Sequence, residues 1–93
     1  AVMTLSPLLT PPLIALYLTS LRQELEDIEQ CVTQGDQAAL DSALHKMKGA
    51  AKMVGASPLV QVIDRWQEAP GHPLAAELRL TVEEVCRQLG ERA

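Results

Sequence analysis

The chain has no phenylalanine, and a single tryptophan and a single tyrosine make up its aromatic content. A core so poor in rings suits helices packed through aliphatic knobs better than a β-sandwich or a nucleotide pocket. An excess of basic charge is missing too. Eight Lys and Arg stand against twelve Asp and Glu, for a net charge of −4. The basic residues are spread along the chain, which leaves no electrostatic footprint for nucleic acid. Cysteine is limited to Cys31 and Cys86. Without a CxxC spacing or a histidine at metal-ligand distance in sequence, both read as small buried hydrophobes rather than as a disulfide or a zinc site. No apolar run comes near the roughly 20 residues a membrane span needs: Thr10, Pro11 and Pro12 interrupt the first apolar stretch, and Arg22 to Glu29 is heavily charged. A soluble domain without direct membrane contact is expected. The start lacks the basic n-region of a signal peptide, and the abrupt opening Ala1-Val2 reads as the edge of a segment cut from a longer chain.

What is present is a set of helices. Chains of 93 residues rarely divide, so residues 1–93 are read as one domain around one core. Turn signals fall at Pro7, Pro11-Pro12, Gly35-Asp36, Gly55-Ala56-Ser57-Pro58 and Ala69-Pro70-Gly71-His72-Pro73, and no repeat, low-complexity tract or strand-like alternation lies between them. The first helix is predicted over 11–34, with Thr10 as cap, Pro11 at its first position and Gly35 closing it. Its stripe is Ile14, Leu18, Leu21, Leu25, Ile28 and Val32, one face of a helix. A second helix, 37–54, opens at the cap Asp36, presents Leu40, Leu44, Met47, Ala51 and Val54, and stops at Gly55. A third, 58–68, is capped by Ser57, begins at Pro58 and turns Leu59, Val62, Ile63 and Trp66 inward. The fourth, 73–90, carries Leu74, Leu78, Val82, Val85 and Leu89. Residues Met3 to Leu9 are expected to form a short turn or one helical segment covering an end of the core. Short connections favour antiparallel neighbours, so the expected fold is all-α, an antiparallel up-and-down four-helix bundle.

The second helix carries the candidate chemistry. On a wheel of about 100° per residue, His45 lies about 140° from the mean direction of the apolar stripe, Lys52 about 120°, Lys48 about 80° and Gly49 about 180°. A core histidine is therefore out of phase with its own helix, and His45 faces outward. Gly49 costs about 1 kcal/mol relative to alanine in mid-helix, and nothing in the turn pattern asks for a break there. One turn after His45, its missing side chain lets a partner backbone or a phosphoryl group come close. Lys48 and Lys52 lie beside the histidine and can neutralise a phosphoryl group on it. Asp41, one turn before, is placed to hydrogen-bond the ring and set its tautomer. His72 sits in a Pro-Gly-His-Pro turn and reads as an exposed loop residue.

These residues carry a family resemblance. His45-Lys46-Met47-Lys48-Gly49-Ala50-Ala51-Lys52-Met53-Val54-Gly55 resembles the H-x-x-K-G-x-x-x-x-x-G signature of histidine-containing phosphotransfer (HPt) domains, with all four marked positions in agreement. At ordinary residue frequencies, a chance match in a chain this size is expected in roughly one sequence in a thousand. The likeness extends from about Pro11 to Leu89. It implies a phosphocarrier without a nucleotide site, which accepts phosphate on His45 from the aspartate of one receiver domain and donates it to the aspartate of another. Lys48 would be the electrostatic partner and Gly49 the clearance. The resemblance also implies that no cofactor is bound by this domain, the required Mg2+ sitting in the partner receiver. It further implies that the domain works in the cytoplasm, either alone or as the C-terminal module of a hybrid sensor kinase tethered to the inner membrane. Lys52, Met53, Ala56 and Leu59 are candidates for the docking rim.

Histidine suits this task as a residue type. Its neutral ring offers a nitrogen lone pair for in-line attack on phosphorus, and the phosphoramidate formed stays reactive enough to pass the group on. Positioning and charge neutralisation supply most of the rate in phosphoryl transfer. The alternative from another class is a helical interaction adaptor in which His45 is incidental. A kinase dimerisation domain would need an acidic residue after the histidine, a nearby proline and a Gly-rich nucleotide domain, none of which is present. A metal site of His45, His72 and the cysteines is disfavoured, because the cysteines fall on apolar faces and His45 does not.

Overall fold

The structure, a computed structural model, describes residues 9–69 and 74–91. Apart from Leu9 the expected N-terminal segment lies outside these residues, as do His72 and Pro73. Four helices follow one another: α1 (Pro11–Gln34), α2 (Gln37–Val54), α3 (Ser57–Glu68) and α4 (Ala75–Gly90). Each packs on two others, α1 on α2 and α4, α3 on α2 and α4, which closes a four-helix ring around one core.

Local chemistry sets the joints. The α1–α2 turn needs a left-handed residue, and Gly35 supplies it at φ 70°, its N–H donating to the carbonyls at the end of α1. Asp36 then caps α2, its Oδ1 accepting from the N–H of Ala39 at 3.1 Å, which satisfies a donor the helix cannot. Gly55 repeats the left-handed exit at φ 85°. Two expected caps differ. Thr10 precedes α1 without a side-chain hydrogen bond, so Pro11 and its preset φ open that helix. Ser57 is already helical, and Ala56 is the cap residue of α3. Its carbonyl accepts from the N–H groups of Leu59 and Val60, so the backbone alone turns the corner.

The core is aliphatic, with Leu21, Ile28, Leu44, Met47, Leu59, Ile63, Leu78 and Leu89 all but sealed from solvent. The buried face of α1 is rotated from the apolar stripe toward Tyr17 and Glu24, which are buried, while Leu18 is half-buried. Val32 is 44 % exposed. It lies in the last turn of α1, where the opening turns of α2 and α4 are rich in small alanines (Ala38, Ala39, Ala75, Ala76) and cover little. Both cysteines are free thiols, Cys86 buried as expected, Cys31 only half-buried. Ion pairs brace the outside, Arg79 with Glu29 at 2.6 Å between α4 and α1 and Arg65 with Glu77 between α3 and α4.

Candidate functional site

The outer face of α2 is built by the same phase that buries its stripe. Leu40, Leu44, Met47, Ala51 and Val54 are buried, which turns His45, Gly49 and Lys52 into solvent and leaves Lys48 half-buried at one flank. Gly49 has nothing within 4 Å of the position a Cβ would occupy. Among the described residues no neighbour requires its smallness, and its helical cost has no packing reason there. The space beside His45 is open to a partner.

The electrostatics of this face are one-sided. The chain's three lysines, Lys46, Lys48 and Lys52, all fall within seven residues of α2, so the lysines, unlike the arginines, are already clustered along the chain. Lys48 is ion-paired with Asp64 on α3. Lys46 and Lys52 have no carboxylate within ion-pair distance among the described residues. Asp41 does not serve the imidazole: its Oδ1 accepts instead from Gln37 Nε2 at 2.9 Å, one turn earlier on the same helix.

The expected docking rim needs correction. Ala56 and Leu59 are fully buried in the core, because the turn after Gly55 folds α3 against α2 and tucks both side chains beneath it. They cannot touch a partner. Met53 is a surface residue, 81 % exposed. It lines a groove of about 470 Å³ between α1 and α2, together with Leu13, Leu16, Tyr17, Glu24 and Ala50. Leu13 and Leu16 are large exposed hydrophobics. This apolar surface begins one helical turn beyond Gly49, on the α1 side of the site. The signal for it was in the sequence: Leu13, Leu16 and Met53 are apolar residues that fall off their helices' core stripes.

Two buried polar side chains border the same groove. The Tyr17 hydroxyl and Glu24 Oε1 have no hydrogen-bond partner among the described residues. Burial pushes the Glu24 carboxyl above the ordinary carboxylate range, with Lys46 pulling it back and Asp27 adding to the rise. Burial and the nearby Glu24 likewise raise the Tyr17 phenol. Another groove, between α1 and α4, holds Arg22, Arg79, Arg87 and Cys86. It lies on the far side of α1 from His45, and two of its guanidiniums are engaged by Glu29, Glu84 and Glu91. Among the described residues no group of three or more His, Cys, Asp or Glu is placed to hold a metal.

An outward histidine on a rigid helix, with lysines beside it and open space one turn on, is equipped for one kind of chemistry. It can receive a small anionic group delivered by another protein. The sequence profile of the Hpt domain matches residues 12–91, nearly the whole chain, and the chain belongs to that family. It is therefore a phosphotransfer domain of two-component signalling, a phosphocarrier rather than an enzyme, of a family that works with receiver domains. No curated protein and no solved structure gives a match.

Proposed function

We propose that His45 is the phosphoryl acceptor of a phosphorelay, taking the group from a receiver-domain aspartate and passing it to the aspartate of a response regulator. A ring nitrogen attacks phosphorus in line. The P–N bond forms as the P–O bond of the aspartyl phosphate breaks, and the carboxylate leaves. Mg2+ belongs to the acidic pocket of the receiver. Lys48 and Lys52 offset the charge of the arriving group, and Gly49 admits the receiver's backbone. The observation that carries the reading is the open space over Gly49 next to an exposed His45, since a helix carries that glycine at a cost with no internal return. Leu13, Leu16 and Met53 form the apolar part of the docking surface, and Lys46 with Lys52 the part that meets the receiver's acidic rim. The partners are the receiver of a hybrid kinase and that of a response regulator, and the domain acts in the cytoplasm with them.

A panel of phosphorylated receiver domains with Mg2+ tests this. Acid-labile phosphate is expected on the wild-type chain and not on His45→Gln. Leu16→Asp or Met53→Asp is expected to weaken receiver-dependent labelling about tenfold or more, the cost of a charge in an apolar contact, without changing labelling by the small donor phosphoramidate. Receivers that bind the chain yet leave no phosphate on His45 would instead support an adaptor role.

A further inference from the structure

Lys48 is the only one of the three α2 lysines with a carboxylate partner among the described residues, Asp64 on the neighbouring helix. The pair joins α2 to α3 on the flank of His45 away from the apolar groove. Its lysine side chain is 22 % exposed and its aspartate 42 %, so the contact is partly shielded from water and only partly screened. Residue 64 faces the site for a simple reason. Leu59, Val62, Ile63 and Trp66 fill the inner face of α3, and Asp64 falls at the edge of that face, level with Lys48.

Resting on the reading of His45 as acceptor, we propose that Asp64 is a positioning residue that holds Lys48 between α2 and α3 and limits how tightly its ammonium can grip the phosphoryl group on His45. The chemistry of a carrier demands such a limit. A phosphoryl group must be stabilised enough to arrive and must still be able to leave. An unopposed lysine one turn from the acceptor interacts directly with the bound dianion and deepens the phosphorylated state. A carboxylate already paired with that lysine competes for it, so its effect on the phosphoryl group runs through Lys48. Lys46 and Lys52, with no such partner, supply attraction for the incoming receiver without the same grip, since both are exposed side chains in high dielectric.

The test places wild type and Asp64→Asn in one tube, one of them labelled with 15N, with a shared phosphoryl donor. Phosphoramidate serves, its P–N bond breaking with release of ammonia as the bond to His45 forms, or any receiver domain that labels the chain. At equilibrium the ratio of phosphorylated to free protein is read for each by native mass spectrometry. Asp64→Asn is expected to hold phosphate about two- to five-fold more strongly, the size of effect a partly exposed ion pair produces. In a Lys48→Gln background, the same change is expected to have no effect, which a merely structural role of Asp64 would not explain. Equal ratios for wild type and Asp64→Asn, a shift in the opposite direction, or a shift that persists without Lys48 would overturn the assignment while leaving His45 as acceptor. A wild-type chain that takes no phosphate on His45 from any donor would overturn both.

Discussion

Glu24 is the one charged residue buried among the apolar side chains of α1. Its Oε1 has no partner among the described residues, and burial raises its pKa, with Lys46 opposing and Asp27 reinforcing. Protonation therefore favours the folded state. At pH below about 4.3, the usual glutamate value, the carboxyl is neutral in both states and costs little. As pH rises through the elevated folded value, the folded chain must hold a buried charge and loses that stability. Glu24→Gln should match wild type near pH 4 and exceed it by roughly 1 kcal/mol at pH 7.5, in keeping with the cost of an unpaired buried polar group. Urea denaturation at the two pH values measures this; a constant difference between the proteins would show that Glu24 ionises alike in the folded and unfolded chain.

At the scale of the helix, three glycines that look alike in sequence do opposite things. Gly35 and Gly55 end their helices at φ 70° and 85°, where a Cβ costs about 1 to 2 kcal/mol. Gly49 is in the middle of α2 with open space around it. Gly55→Ala should lower the stability of the bundle by about 1 to 2 kcal/mol. Gly49→Ala should raise it by about 0.5 to 1 kcal/mol, through lower backbone entropy in the unfolded chain. The same Gly49→Ala protein is expected to exchange phosphate with receivers more slowly. Thermal melts and transfer rates, taken together, separate the two roles, and a Gly49→Ala protein that is both stabler and equally fast would remove Gly49 from the site. Leu59 belongs to the other kind of position. Fully buried, it matters for packing, not for docking.

For the molecule as a whole the relevant quantity is where the charge sits. The net charge is −4, yet all three lysines surround His45 on α2, while the arginines of α3 and α4 are tied up in ion pairs. Pairing on α4 is tight enough that Arg87 and Gln88 hold the Glu84 carboxyl down to about 2. A mostly acidic body thus presents a locally basic face. Association with an acidic receiver rim should therefore slow as salt rises, by about three- to tenfold between roughly 50 and 300 mM NaCl. Lys46→Ala/Lys52→Ala should flatten that dependence. Stopped-flow association at several ionic strengths reads both, and a salt-independent rate for wild type would exclude steering by this face.

Local patterning along the chain settles the helices, the turns at Gly35-Asp36 and Gly55, and the orientation of His45. Those follow from local rules: apolar residues three and four apart, an aspartate that can cap, and glycines where the backbone must turn left-handed. The Hpt signature was legible for the same reason, since its residues lie within three turns of one helix. Contacts between helices were decided only in the tertiary structure. The pairing of Lys48 with Asp64 joins residues 16 apart in the chain, and no periodicity within α2 or α3 expresses it. The burial of Ala56 and Leu59, which had been expected at the rim, depends on how steeply α3 folds back on α2. The apolar surface near His45 instead joins Leu13 and Leu16 of α1 to Met53 of α2, because packing two helices together sets which residues off the core stripe become neighbours.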